Sequence, residues 1–181
     1  MLHSDLNRRR FLLGLGGLGL ASVVPGKALA SYSAPERKLS FYNLHTDEKV
    51  TASFWEDGRY LDEGLAALNH VMRDFRQNEV HPIDPKLFDQ LFVLQHKLGK
   101  KGEFQIISGY RSPKTNNMLR KAGGGVAKKS YHMQGKAIDL RLPGVQLKQL
   151  HKTALSLKAG GVGYYPSDNF VHLDTGPVRS W

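Results

Sequence analysis

The chain has 181 residues, enough for one ordinary domain with its own core. It has no cysteine, which excludes disulfides, thiol nucleophiles, iron–sulfur clusters and thiolate metal sites, so a metal ion would have to be held by His, Asp and Glu. The formal charge of +10 suits a polyanionic partner such as nucleic acid, anionic lipid or cell wall, although a solvated basic surface has the same composition.

Residues 1–30 predict a secretory signal. Three arginines, Arg8 to Arg10, precede an uncharged stretch rich in Gly and Leu that reaches Val24, and Ala28–Ala30 supply small residues at the usual cleavage spacing. Paired arginines before Phe-Leu are typical of the twin-arginine route. The apolar run of about 14 residues is shorter than the roughly 20 needed to span a bilayer, so we expect cleavage after Ala30 and export to the periplasm instead of a retained membrane anchor.

Cleavage would remove four basic residues and one acidic residue and so lower the formal charge to about +7. Export argues against nucleic acid as the partner, and the sequence has no basic-aromatic RNA or DNA motif. Residues 31–37 have the composition of a short linker. Residues 38–181 are predicted to form a single domain without an integral membrane segment.

Extended and helical patterns alternate along this predicted domain. Strand patterns cover Leu39–Leu44, Val50–Trp55, Phe104–Ile107, Lys136–Leu142, Val162–Tyr165 and Phe170–Asp174. Helical patterns cover Leu61 to about Phe75, Asp84–Leu98, Ser112 to about Ala122, and Leu147–Lys158. Helices come first and several later strands are joined by short turns, which favours an α+β domain with a mainly antiparallel sheet flanked by helices.

One predicted strand carries a carboxylate that the pattern keeps out of the core. Side chains alternate along Lys136–Leu142, so Ile138 and Leu140 share one face and Asp139 projects from the other. A carboxylate in a core-forming strand needs a cation, hydrogen-bond donors or a metal ion. An ion pair with Arg141 would also satisfy it.

The same alternation along Phe170–Asp174 places His172 and Asp174 on one face, about 6–7 Å apart along the strand. Two histidines and one aspartate from separate segments, His132, Asp139 and His172, make a set of three ligands. Such a set leaves zinc a fourth position open for water, which is the catalytic arrangement and not the structural one.

Each of these signals is weak when taken alone, because most histidines in proteins are surface or hydrogen-bonded residues. That interpretation applies to His45, His70, His81, His96 and His151, and His3 lies in the predicted signal. The sequence has no H-E-x-x-H, so the thermolysin-like zinc motif is absent.

Combined, the motifs point to a known family. Residues 130–139 read S-x-H-x-x-G-x-A-x-D, and residues 172–174 read H-x-D. This pattern resembles the LAS-type zinc peptidases, which comprise lysostaphin-like enzymes, D-Ala-D-Ala peptidases and the hedgehog fold. Residues 108–112 (SGYRS), 160–165 (GGVGYY) and 170–181 extend the likeness, closest to murein endopeptidases, over nearly the whole chain. The resemblance implies a hedgehog/D-Ala-D-Ala peptidase-like fold.

The resemblance also implies roles for individual residues. His132, Asp139 and His172 would hold one zinc ion per chain. Arg111 would face the substrate, where its guanidinium stabilises an oxyanion or orients a substrate carboxylate, with a structural salt bridge as the alternative. Ser130 would be a hydrogen-bonding residue near the substrate, or a simple turn residue.

The general base departs from the pattern of the relatives. D-Ala-D-Ala relatives carry an acidic residue three positions before the last histidine ligand, where this chain has Asn169, which cannot take a proton. The face shared with His172 favours Asp174 as the base, with Asp168 in reserve. Asp174 could equally be a supporting group that orients His172.

The implied function is metal-assisted hydrolysis of peptide cross-links in peptidoglycan. The expected target is the bond between two meso-diaminopimelate residues, with D-Ala–diaminopimelate second. Two alternatives remain: a D-Ala carboxypeptidase of the same fold, and a zinc-containing cell-wall-binding protein without catalysis. The expected partners are peptidoglycan and the twin-arginine export machinery.

Overall fold

The computed structural model describes residues 36–123 and 125–181. The signal predicted over residues 1–30 and the first part of the predicted linker lie outside these residues. Strands occupy β1 Glu36–Asn43, β2 Lys49–Glu56, β3 Arg59–Tyr60, β4 Phe104–Ser108, β5 Ala137–Arg141, β6 Gly161–Tyr165, β7 Phe170–Asp174 and β8 Arg179–Ser180. Helices occupy α1 Asp62–Val71, α2 Pro85–Lys97, α3 Pro113–Lys121 and α4 Leu147–Leu157, with a short 3-10 helix at Tyr131–Gln134.

The described strands form one sheet in the order β3-β2-β1-β4-β5-β7-β6-β8. Neighbouring strands are antiparallel except for two parallel pairs, β1 with β4 and β6 with β8. The expected α+β domain with a mainly antiparallel sheet is therefore confirmed. Within the described part of the chain, none of the helices has the length and apolar character needed to cross a membrane.

One boundary and two short strands differ from the sequence prediction. Glu36 and Arg37 belong to β1, because they pair with Glu56 and Trp55 of β2, so the predicted linker cannot extend past residue 35. Strands β3 and β8 were not predicted. Each has two residues, too few for alternation to be visible in the sequence.

The core lies on one face of the sheet, where α2 and α4 pack. Ile138 and Leu140 of β5 and Val171 and Leu173 of β7 point into it and are almost completely buried. Burial of these side chains fixes which way each strand faces, since a one-residue slip would bring every apolar group to the other side. The polar residues between them are thereby held on the opposite face.

Helix α1 ends at Val71, before the end predicted near Phe75. The cause is Asp74, whose buried carboxylate accepts hydrogen bonds from the backbone N–H groups of Arg76 (3.0 Å) and Gln77 (3.3 Å) and so folds the chain into a turn. Its second oxygen accepts from the N–H of Ser112 at 2.9 Å. Asp74 thus ties the end of α1 to the segment that follows β4.

That segment is also bound directly to α1. The N–H of Tyr110 donates to the carbonyl of Met72 at 2.8 Å. Gly109 has no room for a side chain, because a Cβ there would collide with the Met72 carbonyl. Residues 109–112 are therefore held close against the end of α1.

Replacing Asp74 with Ala removes the acceptor for three backbone N–H groups in a buried place. We expect the free energy of unfolding to fall by about 2–3 kcal/mol, measured by urea denaturation of the purified chain. Glu63→Ala, which removes an exposed carboxylate from α1, serves as the control and should change stability by less than about 0.5 kcal/mol. Equal unfolding midpoints for the two variants would show that Asp74 does not hold this turn.

Candidate metal centre

Three side chains from separate elements converge on the face of the sheet opposite the core: His132 from the 3-10 helix, Asp139 from β5 and His172 from β7. The register of β5 and β7 sets Asp139 directly opposite His172. His132 Nε2 lies 3.3 Å from both His172 Nδ1 and Asp139 Oδ2, and His172 Nδ1 lies 2.8 Å from Asp139 Oδ1. Ligand atoms in a tetrahedral zinc site are about 3.3 Å apart, so this donor set fits a small divalent ion.

Local sequence places His132 in this position. The Ser130 hydroxyl caps the 3-10 helix by accepting from the N–H of His132 at 3.3 Å, and Gly135 ends it with φ 63°. A Cβ at Gly135 would collide with the Pro82 carbonyl, so both the backbone angle and the close contact require glycine. His132 Nδ1 lies 2.7 Å from the carbonyl oxygen of Gly109. An N–H donated there leaves the Nε2 lone pair facing the other two ligands.

His172 is held from its far side by Asp174. His172 Nε2 lies 3.0 Å from Asp174 Oδ2. The Asp174 carboxylate is completely buried and also accepts from the N–H groups of Gly161 (3.1 Å) and Gly176 (2.8 Å) and from the guanidinium of Arg179 (2.6 Å). Both oxygens are occupied, which favours the supporting role for Asp174 and speaks against the role of general base.

Electrostatics set the protonation states of the three candidate ligands. Burial lowers the pKa of His132, so its imidazole is neutral. Burial alone would raise the pKa of Asp139, but the imidazoles of His132 and His172 beside it hold that pKa below its usual range. Burial would lower the pKa of His172, but hydrogen bonds to Asp139 and Asp174 raise it. A metal ion would therefore displace a proton from His172 Nδ1.

Arg111 lies beside the three candidate ligands with a guanidinium that has no ion-pair partner among the described residues. Its backbone N–H donates to the carbonyl of His132 at 3.2 Å. Its side-chain Nε is buried without a hydrogen-bond partner, and burial lowers its pKa. The structural salt bridge considered for Arg111 thus finds no partner in the part of the chain that the structure describes.

The remaining predicted site residues lie in different surroundings. Ser130 is buried, lines the cleft described below and uses its hydroxyl as the helix cap. Asp168 is exposed in the turn between β6 and β7 and does not line the cleft. Asn169 occupies that same turn with φ 56°, a left-handed angle that Asn tolerates well.

An open cleft of about 650 Å³ lies over the three candidate ligands. Three basic side chains line the cleft, those of Arg111, Lys129 and Arg179, with one acidic side chain, that of Asp139. The cleft is therefore basic apart from the carboxylate of this candidate ligand. A second cavity of about 600 Å³ lies beside β1 and α2, but the described residues around it supply no metal-ligand set. The cleft over the three candidate ligands is therefore the candidate functional site.

Sequence reasoning missed the aromatic walls of the cleft. They are formed by Tyr131, Tyr165, Phe170 and Trp181. Alternation along β6 could have revealed Tyr165, because Val162 points into the core and Gly161, Gly163 and Tyr165 fall on the opposite face. Nothing local in the sequence marks Trp181.

This chain is a mainly antiparallel α+β domain with a buried His-Asp-His set beneath an open cleft. It belongs to the LAS-type class of zinc peptidases. The particular family is that of the peptidoglycan L,D-endopeptidase MepK, whose family model matches residues 31–181, and the chain is a member of it.

Two relatives illustrate the likeness. The peptidoglycan L,D-endopeptidase MepK of Escherichia coli K12 is 53% identical over 179 residues, covering 98% of each chain. The probable peptidoglycan L,D-endopeptidase MepK of Haemophilus influenzae is 46% identical over 184 residues, covering 100% of this chain and 98% of its own length. No solved structure matches the chain significantly.

The geometry predicts a graded effect of substitutions on zinc binding. His132→Ala, Asp139→Ala and His172→Ala each remove one ligand atom and should abolish tight binding. Asp174→Asn keeps the ligands but weakens the support of His172, so we expect about a 10- to 100-fold loss of affinity. Competition with a chromogenic chelator measures each affinity.

His70→Ala is the matched control for these variants, because the His70 side chain is exposed on α1. It should bind zinc like the unmodified chain. Full zinc affinity in any of the three alanine variants would contradict the proposed ligand set, and an Asp174→Asn variant with unchanged affinity would contradict the supporting role.

Proposed function

We propose that this chain is a zinc-dependent endopeptidase that hydrolyses peptide cross-links of peptidoglycan. The observation that carries the proposal is the convergence of His132, Asp139 and His172 beneath an open basic cleft. The relatives that match over nearly their whole lengths are peptidoglycan endopeptidases by name, which suggests the substrate.

His132, Asp139 and His172 would hold the zinc ion, and a set of three protein ligands is typical of a catalytic zinc site. When bound, zinc supplies Lewis acidity that activates water and polarises the scissile carbonyl. The chain's own contribution is to hold the ligands rigidly. The Gly109 carbonyl orients His132, and Asp174, itself paired with Arg179, orients His172. We assign Asp174 this supporting role.

Arg111 stabilises negative charge on the substrate. Its partly buried guanidinium lies in the cleft beside Asp139 and has no ion-pair partner among the described residues. A guanidinium stabilises negative charge most strongly where water is excluded. The group can donate two parallel hydrogen bonds to a carboxylate or to the oxygen that becomes charged as the carbonyl is attacked. Both uses place Arg111 in contact with the substrate.

The bond cleaved is the one between two meso-diaminopimelate residues. That cross-link joins the carbonyl of an L-centre to the amine of a D-centre, which agrees with the L,D specificity in the names of the relatives. The D-Ala–diaminopimelate link joins two D-centres and is therefore the second candidate. Carboxylates of the peptide stems suit the basic side chains of the cleft.

We also propose that the chain reaches this substrate by export to the periplasm. The pattern of residues 1–30 favours the twin-arginine route with cleavage after Ala30. Peptidoglycan lies outside the inner membrane, so an enzyme acting on it must cross that membrane.

The direct test is a digest of purified cross-linked muropeptides by the zinc-loaded protein, with products identified by mass spectrometry. We expect diaminopimelate–diaminopimelate dimers to become monomers, because hydrolysis adds one water across the linking amide. A chelator should stop the reaction, and added zinc should restore it.

The two alternative functions give different products in the same digest. A D-Ala carboxypeptidase would remove one alanine and leave the cross-links whole. A wall-binding protein without catalysis would leave every fragment unchanged while still retaining zinc. Either result would overturn the endopeptidase assignment.

Arg111→Ala should keep zinc and reduce kcat by about 10²- to 10³-fold, since it removes charge stabilisation without touching a ligand. Arg111→Lys should recover only part of this loss, because an ammonium cannot reproduce the paired hydrogen bonds of a guanidinium. Initial rates on the dimeric muropeptide and zinc content measure the two effects. Arg120→Ala, an exposed arginine on α3, is the control. Loss of zinc from Arg111→Ala would contradict this role.

A further inference from the structure

Trp181 is fixed against the candidate metal centre by backbone pairing beyond β8. Its N–H donates to the carbonyl of Val162 at 3.3 Å, and its carbonyl accepts from the N–H of Tyr164 at 3.0 Å. The indole ring lies 5.2 Å from the ring of His172, measured between centroids. Half of the residue remains exposed, and it lines the cleft.

The space for this indole is created by Gly163. Gly163 pairs directly with His172 across β6 and β7. A Cβ built at Gly163 would lie 2.7 Å from the Trp181 indole and 2.8 Å from the Tyr165 ring. The two aromatic side chains therefore lie over one glycine, immediately beside His172.

The two rings are joined by a hydrogen bond of defined direction. The indole N–H of Trp181 can only donate, and it donates to the hydroxyl oxygen of Tyr165 at 2.7 Å. The hydroxyl proton of Tyr165 must point elsewhere, and no acceptor for it is found among the described residues. The Tyr165 ring is held flat by stacking on Phe170, with centroids 4.5 Å apart.

Arg179 completes the arrangement from the other side. Its guanidinium carbon lies 4.9 Å from the centre of the Trp181 ring and 5.1 Å from that of Tyr131, while the same guanidinium binds Asp174. The indole is thus placed by a residue that also supports His172. The position of the indole and the position of the candidate ligand His172 therefore depend on the same arginine.

We propose that Trp181 and Tyr165 form a substrate-positioning wall, in which the indole N–H directs the Tyr165 hydroxyl to donate a hydrogen bond to a carbonyl or carboxylate oxygen of the bound peptide. The proposal rests on the proposed function for the identity of that peptide. Tyr165 touches the substrate, and Trp181 acts through Tyr165 as a positioning residue. Neither residue binds the metal ion.

The first test uses conservative variants on the dimeric muropeptide. Tyr165→Phe removes only the hydroxyl, and Trp181→Phe keeps an aromatic ring but removes the donor. Each should raise KM about tenfold with little change in kcat, because the lost bond is made in the ground state as well as in the transition state. The KM of the double variant should also rise about tenfold and not a hundredfold, since both changes remove the same interaction.

Two further variants make this test specific. Tyr164→Phe removes a hydroxyl from the neighbouring residue, which packs on the opposite face of β6, and should leave KM unchanged. Gly163→Ala keeps both aromatic residues but displaces both rings, so it should raise KM at least as much as Trp181→Phe. All variants should retain zinc. A KM raised about a hundredfold in the double variant, or an unchanged KM in Tyr165→Phe, would overturn the proposed wall. Either result would leave the endopeptidase assignment intact.

A binding measurement tests the wall without turnover. The chain has two tryptophans, and Trp55 lies on β2 outside the cleft, so Trp55→Phe leaves Trp181 as the sole indole emitter. The muropeptide dimer is titrated into chelator-treated protein, with calorimetry recording binding in parallel. We expect a saturable change in Trp181 emission, with a dissociation constant about tenfold higher in Tyr165→Phe.

The outcomes separate this inference from the proposed function. Flat Trp181 emission while calorimetry records binding, or no binding at all, would overturn the wall. A saturable change in a protein whose zinc-loaded form leaves cross-links uncut would keep the wall and reject the endopeptidase.

Discussion

The antiparallel pairing of β5 with β7 is the constraint on which the candidate centre depends. It sets Asp139 opposite His172 and, at the same time, Ile138 opposite Leu173 on the core side. The free energy of burying the apolar pairs therefore fixes the spacing of the polar ones. The sheet therefore holds a carboxylate and an imidazole 2.8 Å apart in a buried place.

One short segment, residues 109–112, positions both the third candidate ligand and the Arg111 guanidinium. The Gly109 carbonyl lies 2.7 Å from His132 Nδ1, and the Arg111 N–H binds the His132 carbonyl. Asp74 anchors the end of that segment at Ser112. Ligand orientation and the placement of Arg111 are thus linked through backbone hydrogen bonds, so loosening the turn at Asp74 would disturb both.

Much of the fold could be predicted because the helix and strand signals are local, whereas the candidate ligand set required the combined motif of residues 130–139 and 172–174. Period-two alternation alone puts Asp139 and His172 on faces away from the core, and the buried neighbours in the structure bear this out. The aromatic pair of Trp181 and Tyr165 could not be predicted, since these two residues are distant in sequence. The early end of α1 was missed because the apolar helical spacing continues to Phe75, past the turn that Asp74 makes with Arg76 and Gln77. The role of Asp174 was open because strand alternation shows the face on which it lies but not its contacts, and the contact with Arg179 favours the supporting role.

The central claim is that two imidazoles and one carboxylate hold a single zinc ion with a position left open. X-ray absorption at the zinc edge of the loaded protein tests it most directly. We predict a first shell of nitrogen and oxygen atoms at about 2.0–2.2 Å with scattering from two imidazoles, and loss of this protein-bound shell in His132→Ala. A shell with no imidazole, or one unaltered by that substitution, would contradict the account.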